Sequence, residues 1–198
     1  MQSWVLPIFL GLGLAAASGL RTFLPLLMLA AVTRFNLFGV SLNEHFAWLG
    51  SDLSLIALGI ATVVELGADK IPVLDHALSA VGTVTRPMAG ALAAGAVLSH
   101  SDPAVAVLAG LIIGAPTAFA VHTAQSSARV VSTTTTAGMA NPLVSLVEDM
   151  TSAFTAAVAL VAPIAAPIVV GILLLLAWRA WSAMRRLAAG KPVKAPDR

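Results

Sequence analysis

From Ala104 to Val121 the chain runs for eighteen residues without one charged side chain, and Met1 to Leu20 is a second run of the same kind. Apolar stretches of about 18 residues or more are long enough to cross the hydrocarbon core of a bilayer as helices. A chain of 198 residues, 59% hydrophobic and 10% charged, has too little interior to hide such runs from water; soluble domains carry about 25% charged residues. The solvent is therefore lipid. In lipid every backbone polar group must be satisfied within the chain. A transmembrane β-barrel would alternate in polarity over segments of about 10 residues, which the unbroken runs exclude. The expected fold is an all-α polytopic membrane protein.

The chain has no cysteine, which removes disulfides and thiol chemistry. Its basic balance is local. From Arg179 onward stand Arg179, Arg185, Arg186, Lys191, Lys194 and Arg198 against Asp197 alone, which leaves the rest of the chain at −3 of a total of +2. Such a tail beside an apolar helix reads as a topology signal and a contact for membrane lipids rather than for nucleic acid. The N-terminal run resembles a signal peptide but lacks a basic start, and it is read as a retained first helix.

Six spans are expected: about Trp4–Val32, Leu53–Leu66, His76–Leu98, Ala104–Thr123, Pro142–Val161 and Ile164–Trp181. An even number puts both termini on one side, and the basic tail at 185–198 makes that side cytoplasmic in a bacterial inner membrane. Trp4, Trp178 and Trp181 then mark the inner interface and Trp48 the outer one. The loop around Phe35–Trp48 is apolar enough to lie on the outer surface. Gly11, Ala15 and Gly19 share a spacing of four with Gly110, Gly114 and Ala118, and small residues at that spacing let helices approach closely. Each half continues with an acid-bearing span and a Pro/Gly-bearing span. Residues 4–98 and 104–184 are therefore expected to be inverted three-helix repeats with broken helices, within one domain at 1–184.

Five of the twenty charged residues fall in "ELGADKIPVLDHALSAVGTVTRP", residues 65 to 87. Glu65 and Asp69 share a helical face. Asp69, Lys70, Asp75 and His76 read as an interfacial turn with a capped helix, or as the cytoplasmic mouth of a path. Arg86, before Pro87, and Arg21, before Pro25, are cations at membrane depth on weakened helices. Glu148 and Asp149 lie inside the fifth span. The expected pairing sets Arg21 and Arg86 against Glu65 and Glu148, as internal locks or as an ion-coupled path. His122 and Arg129 are weaker candidates, on the cytoplasmic half of the fourth span. Asn141 ends the stretch "SSARVVSTTTTAGMANP", which reads as a polar linker or as a hydroxyl-lined surface. No spacing suggests a metal cage or a cofactor, and no catalytic motif marks an enzyme.

The segments "ASGLRTFLP", "ELGADKIPVLDHALSAVGTVTRPMAGAL" and "NPLVSLVEDM" resemble those of a bacterial integral-membrane family of unknown function, the DUF4126 group. The resemblance covers nearly the whole chain before the tail. It implies a polytopic membrane protein and carries no activity. It also implies that Arg21, Glu65, Asp69, Lys70, Pro72, Asp75, Arg86, Asn141, Pro142, Glu148 and Asp149 belong to the family's motifs. The functional expectation is a transporter or channel-like protein for a small solute or ion, with a non-transporting scaffold or a lipid- or partner-binding protein as the alternative. A chain this small is also expected to be able to form a homodimer.

Overall fold

A computed structural model describes the backbone of residues 4–68 and 72–189; side chains at 72–79, 177, 180, 181 and 183–189 are not described. The described residues are all-helical: α1 (Val5–Leu20), α2 (Leu24–Arg34), a 3₁₀ segment (Glu44–Gly50), α3 (Asp52–Ala68), α4 (Pro72–Ala96), α5 (Pro103–Ala109), α6 (Ala115–Thr136), α7 (Asn141–Val161) and α8 (Ala166–Ala189). A π-helical turn, Gly110–Gly114, joins α5 to α6. Two stretches among the described residues are long and apolar enough to cross a membrane, Pro103–Thr136 and Asn141–Val161. A third counts if Glu44–Gly50 and Asp52–Ala68, bent by 64°, form one span.

Proline chemistry explains the breaks. Pro25 has no N–H to offer the carbonyl of Arg21, and its ring would clash with that carbonyl in a continuous helix. The chain yields there: Arg21 is extended at φ −136°, ψ 129°, and α2 restarts at Leu24. Pro116 poses the same problem in α6, and the wider π turn just before it absorbs the misfit without ending the helix. Pro87 is tolerated inside α4. Pro72 opens α4 at the first helical position, where a missing N–H costs nothing. Asp75 therefore lies inside the first turn, not at the cap expected for it.

The break turns the chain back. Trp4, at the start of α1, and Phe38, just beyond α2, line one pocket with Ser99, His100 and Pro163. Asn43 N–H donates to Ala96 O at 2.7 Å, and the Asn43 amide donates to Leu98 O at 3.0 Å and Ser101 O at 2.9 Å. Arg34 pairs with Asp52 at 2.6 Å. So α1 and α2 form a hairpin that enters and leaves at one end of the bundle, the Ser99 end, with its tip at Arg21–Phe23. The turn Ala137–Gly138, with both residues at positive φ, lies at the other end.

Three sequence expectations change as a result. The stretch Trp4–Val32 is not one continuous helix: it breaks at Arg21 and folds back. The two ends of the described chain lie at opposite ends of the bundle, with Trp4 at the Ser99 end and Trp178 near Ala140. And α1 runs parallel to α6, not inverted: Gly11 meets Ala94 beside Gly114, and Gly19 meets Ala118. The other bounds shift less. The stretch 126–142 is helix up to Thr136, where the hydroxyls mostly bond carbonyls of their own turn, as Thr136 does to Ser132 at 2.7 Å. The tail begins as a continuation of α8, and residues beyond 189 are not described.

Helix α1 is the axis, touching α4, α6, α7 and α8. Its close contacts need glycine. A Cβ on Gly19 would lie 2.5 Å from Ala118 O, and one on Gly13 2.6 Å from the Ala159 methyl. The interior combines leucines such as Leu14, Leu29 and Leu49 with Ala, Gly and charged or hydroxyl side chains, while Leu53, Ile56, Ile60, Val63, Met88, Ile112 and Phe154 point outward. Large apolar groups outside and polar ones inside suit a lipid surround.

Candidate functional site

The hairpin tip delivers the two ends of a broken helix into the middle of the bundle. At 1.5 Å per residue, the 16 residues of α1 span about 24 Å, more than enough to carry the tip from outside a hydrocarbon core of about 30 Å to its midplane. The N-terminus of α2 leaves N–H groups without helical partners and carries about half a positive charge. Glu65, from α3, meets them: Thr22 N–H donates to Oε1 at 2.8 Å and Phe23 N–H to Oε2 at 3.1 Å. The last turn of α1 offers the opposite polarity. Gly19 O accepts from Arg86 Nη1 at 3.3 Å.

Arg86, buried on α4, makes no ion pair among the described residues. Its Nη1 donates to Gln125 Oε1 and to His122 Nδ1 at 2.9 Å. Since arginine can only donate, Nδ1 accepts, which places the imidazole proton on Nε2, 3.5 Å from the Thr83 hydroxyl. Arg86 Nε has no partner among the described residues. The expected Arg86–carboxylate pair is therefore replaced by neutral acceptors, and Glu65 by backbone donors.

Beneath the tip is a second polar layer. Arg21, fully buried, donates through Nη2 to Ser145 Oγ at 2.8 Å and to Ser145 O at 3.2 Å. Its Nε lies 2.5 Å from Asp149 Oδ1, and its Nη2 3.7 Å from Glu148 Oε2. Arg129 Nε contacts both Glu148 oxygens, at 3.0 and 3.1 Å, and Nη2 closes the fork on Oε2. Such a bidentate fork suits a buried carboxylate. Arg21 thus finds Glu148 as expected, but Glu148 belongs first to Arg129. Asn141 is apart from these layers: it accepts from Ser132 Oγ at 2.9 Å and donates to Thr133 Oγ1 at 3.0 Å, tying α7 to the end of α6.

A family profile for a domain of unknown function, DUF4126, matches residues 8–183. The chain belongs to that family. Comparison with curated proteins and with solved structures returns no match. The DUF4126 match spans every element that builds both polar layers, from α1 into α8.

Of the candidates read from the DUF4126 sequence, the structure brings together Arg21, Glu148, Asp149 and Arg129, and joins Arg86 to His122. Glu65 caps the hairpin tip. Asp69 and Lys70 lie outside the described residues, and the side chains of Asp75 and His76 are likewise not described. Among the described residues no three His, Asp or Glu side chains stand close enough to hold a metal ion.

Sequence reading missed Gln125, Ser145, Ser152 and Asn43, all buried. A signal existed for the first three. His122, Gln125 and Arg129 repeat at helical spacing on α6, as do Ser145, Glu148, Ser152 and Thr155 on α7, which marks one polar face each. Ser152 donates to Ala17 O at 2.9 Å, just before the break.

Proposed function

We propose that this DUF4126 protein is a small-solute or ion transporter, or a channel-like protein, of the bacterial inner membrane. In this reading α3, α4, the joined α5–α6, α7 and α8 each cross the bilayer, and α1–α2 is re-entrant. The basic tail puts the Gly138 end in the cytoplasm and the start of α1 on the far side. One observation carries the reading. Both ends of a broken helix meet ionisable side chains from other helices at membrane depth: Glu65 on the N–H groups of Thr22 and Phe23, and Arg86 on Gly19 O. Half-helix ends facing charged groups near the midplane are how many transporters bind ions and anionic solutes.

The charged groups are buried in direct contacts, so the arrangement corresponds to a closed state, with Glu65 occupying the place an incoming anion would take. Opening would require the carboxylate to leave Thr22 and Phe23. Proteoliposomes test this through the flux of protons, monovalent cations and small anions. Glu65→Gln and Arg86→Gln are expected to lower a wild-type flux at least about tenfold with the folded yield preserved. Unchanged flux in both variants would remove the transport role from these residues.

The same direct contacts favour a second reading, a non-transporting lipid- or partner-binding protein whose charges are locks. It predicts no flux for any of these solutes in the wild type.

A further inference from the structure

Between α6, α7 and α8, from the level of the hairpin tip toward the Gly138 end, lies a groove of about 730 Å³. Ala124 and Ala128 form its floor, Leu143 and Val147 one wall, and Leu174 and Trp178 the other. Its polar groups are already engaged: Gln125 accepts from Arg86, Glu148 from Arg129, and the Thr123, Ser127 and Thr151 hydroxyls donate to carbonyls of their own helices. A polar solute would find few groups to bind, whereas hydrocarbon would fit the mostly apolar lining. The end of the groove is different. The residue after Trp178 is Arg179, which is exposed and makes no ion pair among the described residues, and Arg185 and Arg186 follow on the same helix. An apolar trough closed by a tryptophan and followed by the exposed Arg179 has the polarity of one phospholipid, with the anionic head at the interface.

We propose that this groove holds one acyl chain of an anionic phospholipid, with its phosphate against Arg179. A second copy of the chain fits less well. In a shared membrane both copies point the same way, so a partner's Arg179 would approach this one at equal depth, like charge against like. A helix about 10–12 Å across is also far thicker than a single hydrocarbon chain. The inference is independent of transport, since its readout is bound lipid rather than flux.

Native mass spectrometry of protein released from nanodiscs of equal phosphatidylglycerol and phosphatidylcholine tests it. The wild type is expected to retain one phosphatidylglycerol. Ala128→Trp fills the floor and is expected to lose the lipid. Arg179→Gln is expected to retain a lipid but with its preference for phosphatidylglycerol falling toward parity. A photo-crosslinker at Leu143 in the otherwise wild-type chain gives a readout that does not depend on Ala128→Trp folding, and the expected adduct is phosphatidylglycerol. A crosslink to a second copy, a preference unaltered by Arg179→Gln, or equal lipid retention by a folded Ala128→Trp variant would each overturn the proposal.

Discussion

Glu148 accepts from Arg129 through both oxygens and lies 3.7 Å from Arg21, so its loss takes a carboxylate away from two buried guanidinium groups, of which Arg21 keeps Asp149. Removing one member of a buried pair costs about 3–5 kcal/mol, whereas replacing the pair with well-packed apolar groups is often neutral. Glu148→Ala is expected to lower thermal stability in detergent by that order, and Arg129→Met with Glu148→Leu to recover most of it; scanning fluorimetry reads both. Arg34→Ala, in an exposed pair with Asp52, is expected to leave the melting point unmoved. That Arg21, Glu65, Arg86 and Glu148 lie inside was legible, because each sits in an apolar run with no route to water. Their partners were not. Which carboxylate meets which cation depends on helix rotation and depth, and the groups facing Glu65 are backbone N–H groups that charge counting does not see.

The hairpin α1–α2 shows how far local chemistry reaches. Pro25 marked a weak point four residues after Arg21, but a break alone does not say whether the chain continues across or returns. Direction is set by packing: Leu26 and Leu29 of α2 bury against the same core as Leu10 and Leu14 of α1. Small-residue spacing correctly flagged close helix contacts, yet the same spacing serves parallel and antiparallel pairs, and so the inverted relation of α1 to α6 was not fixed by it. Two glycines separate packing from propensity. Gly19→Val drives a side chain into Ala118 O and is expected to abolish the folded peak in size-exclusion chromatography. Gly59→Ala in α3, where a Cβ meets nothing within 4 Å, is expected to fold normally and gain up to about 1 kcal/mol from helix propensity. At the tip, Glu65→Ala leaves the N–H groups of Thr22 and Phe23 without their acceptor and is expected to speed amide hydrogen exchange there, while Glu65→Gln, which keeps one acceptor, has a smaller effect.

At the scale of the molecule, the chain departs from the pattern of a soluble protein: Arg21, Arg86, Glu65, Arg129 and Glu148 are buried, and many large aliphatic side chains, Leu53, Ile56, Ile60 and Ile112 among them, face outward. Composition alone made the lipid solvent legible. The path of the chain was not, because hydropathy counts apolar length, and α1 with α2 has the length of one span yet breaks at Arg21 and folds back. The absence of native cysteine allows a clean test, since single cysteines can be placed at will. In right-side-out vesicles, a membrane-impermeant thiol reagent applied to Val5→Cys, Ser41→Cys, His100→Cys and Met139→Cys is expected to label the first three from one side and Met139→Cys only from the other. Labelling of Val5→Cys from the side of Met139→Cys would make the first stretch a full crossing and contradict a re-entrant hairpin carrying Arg21 into the centre.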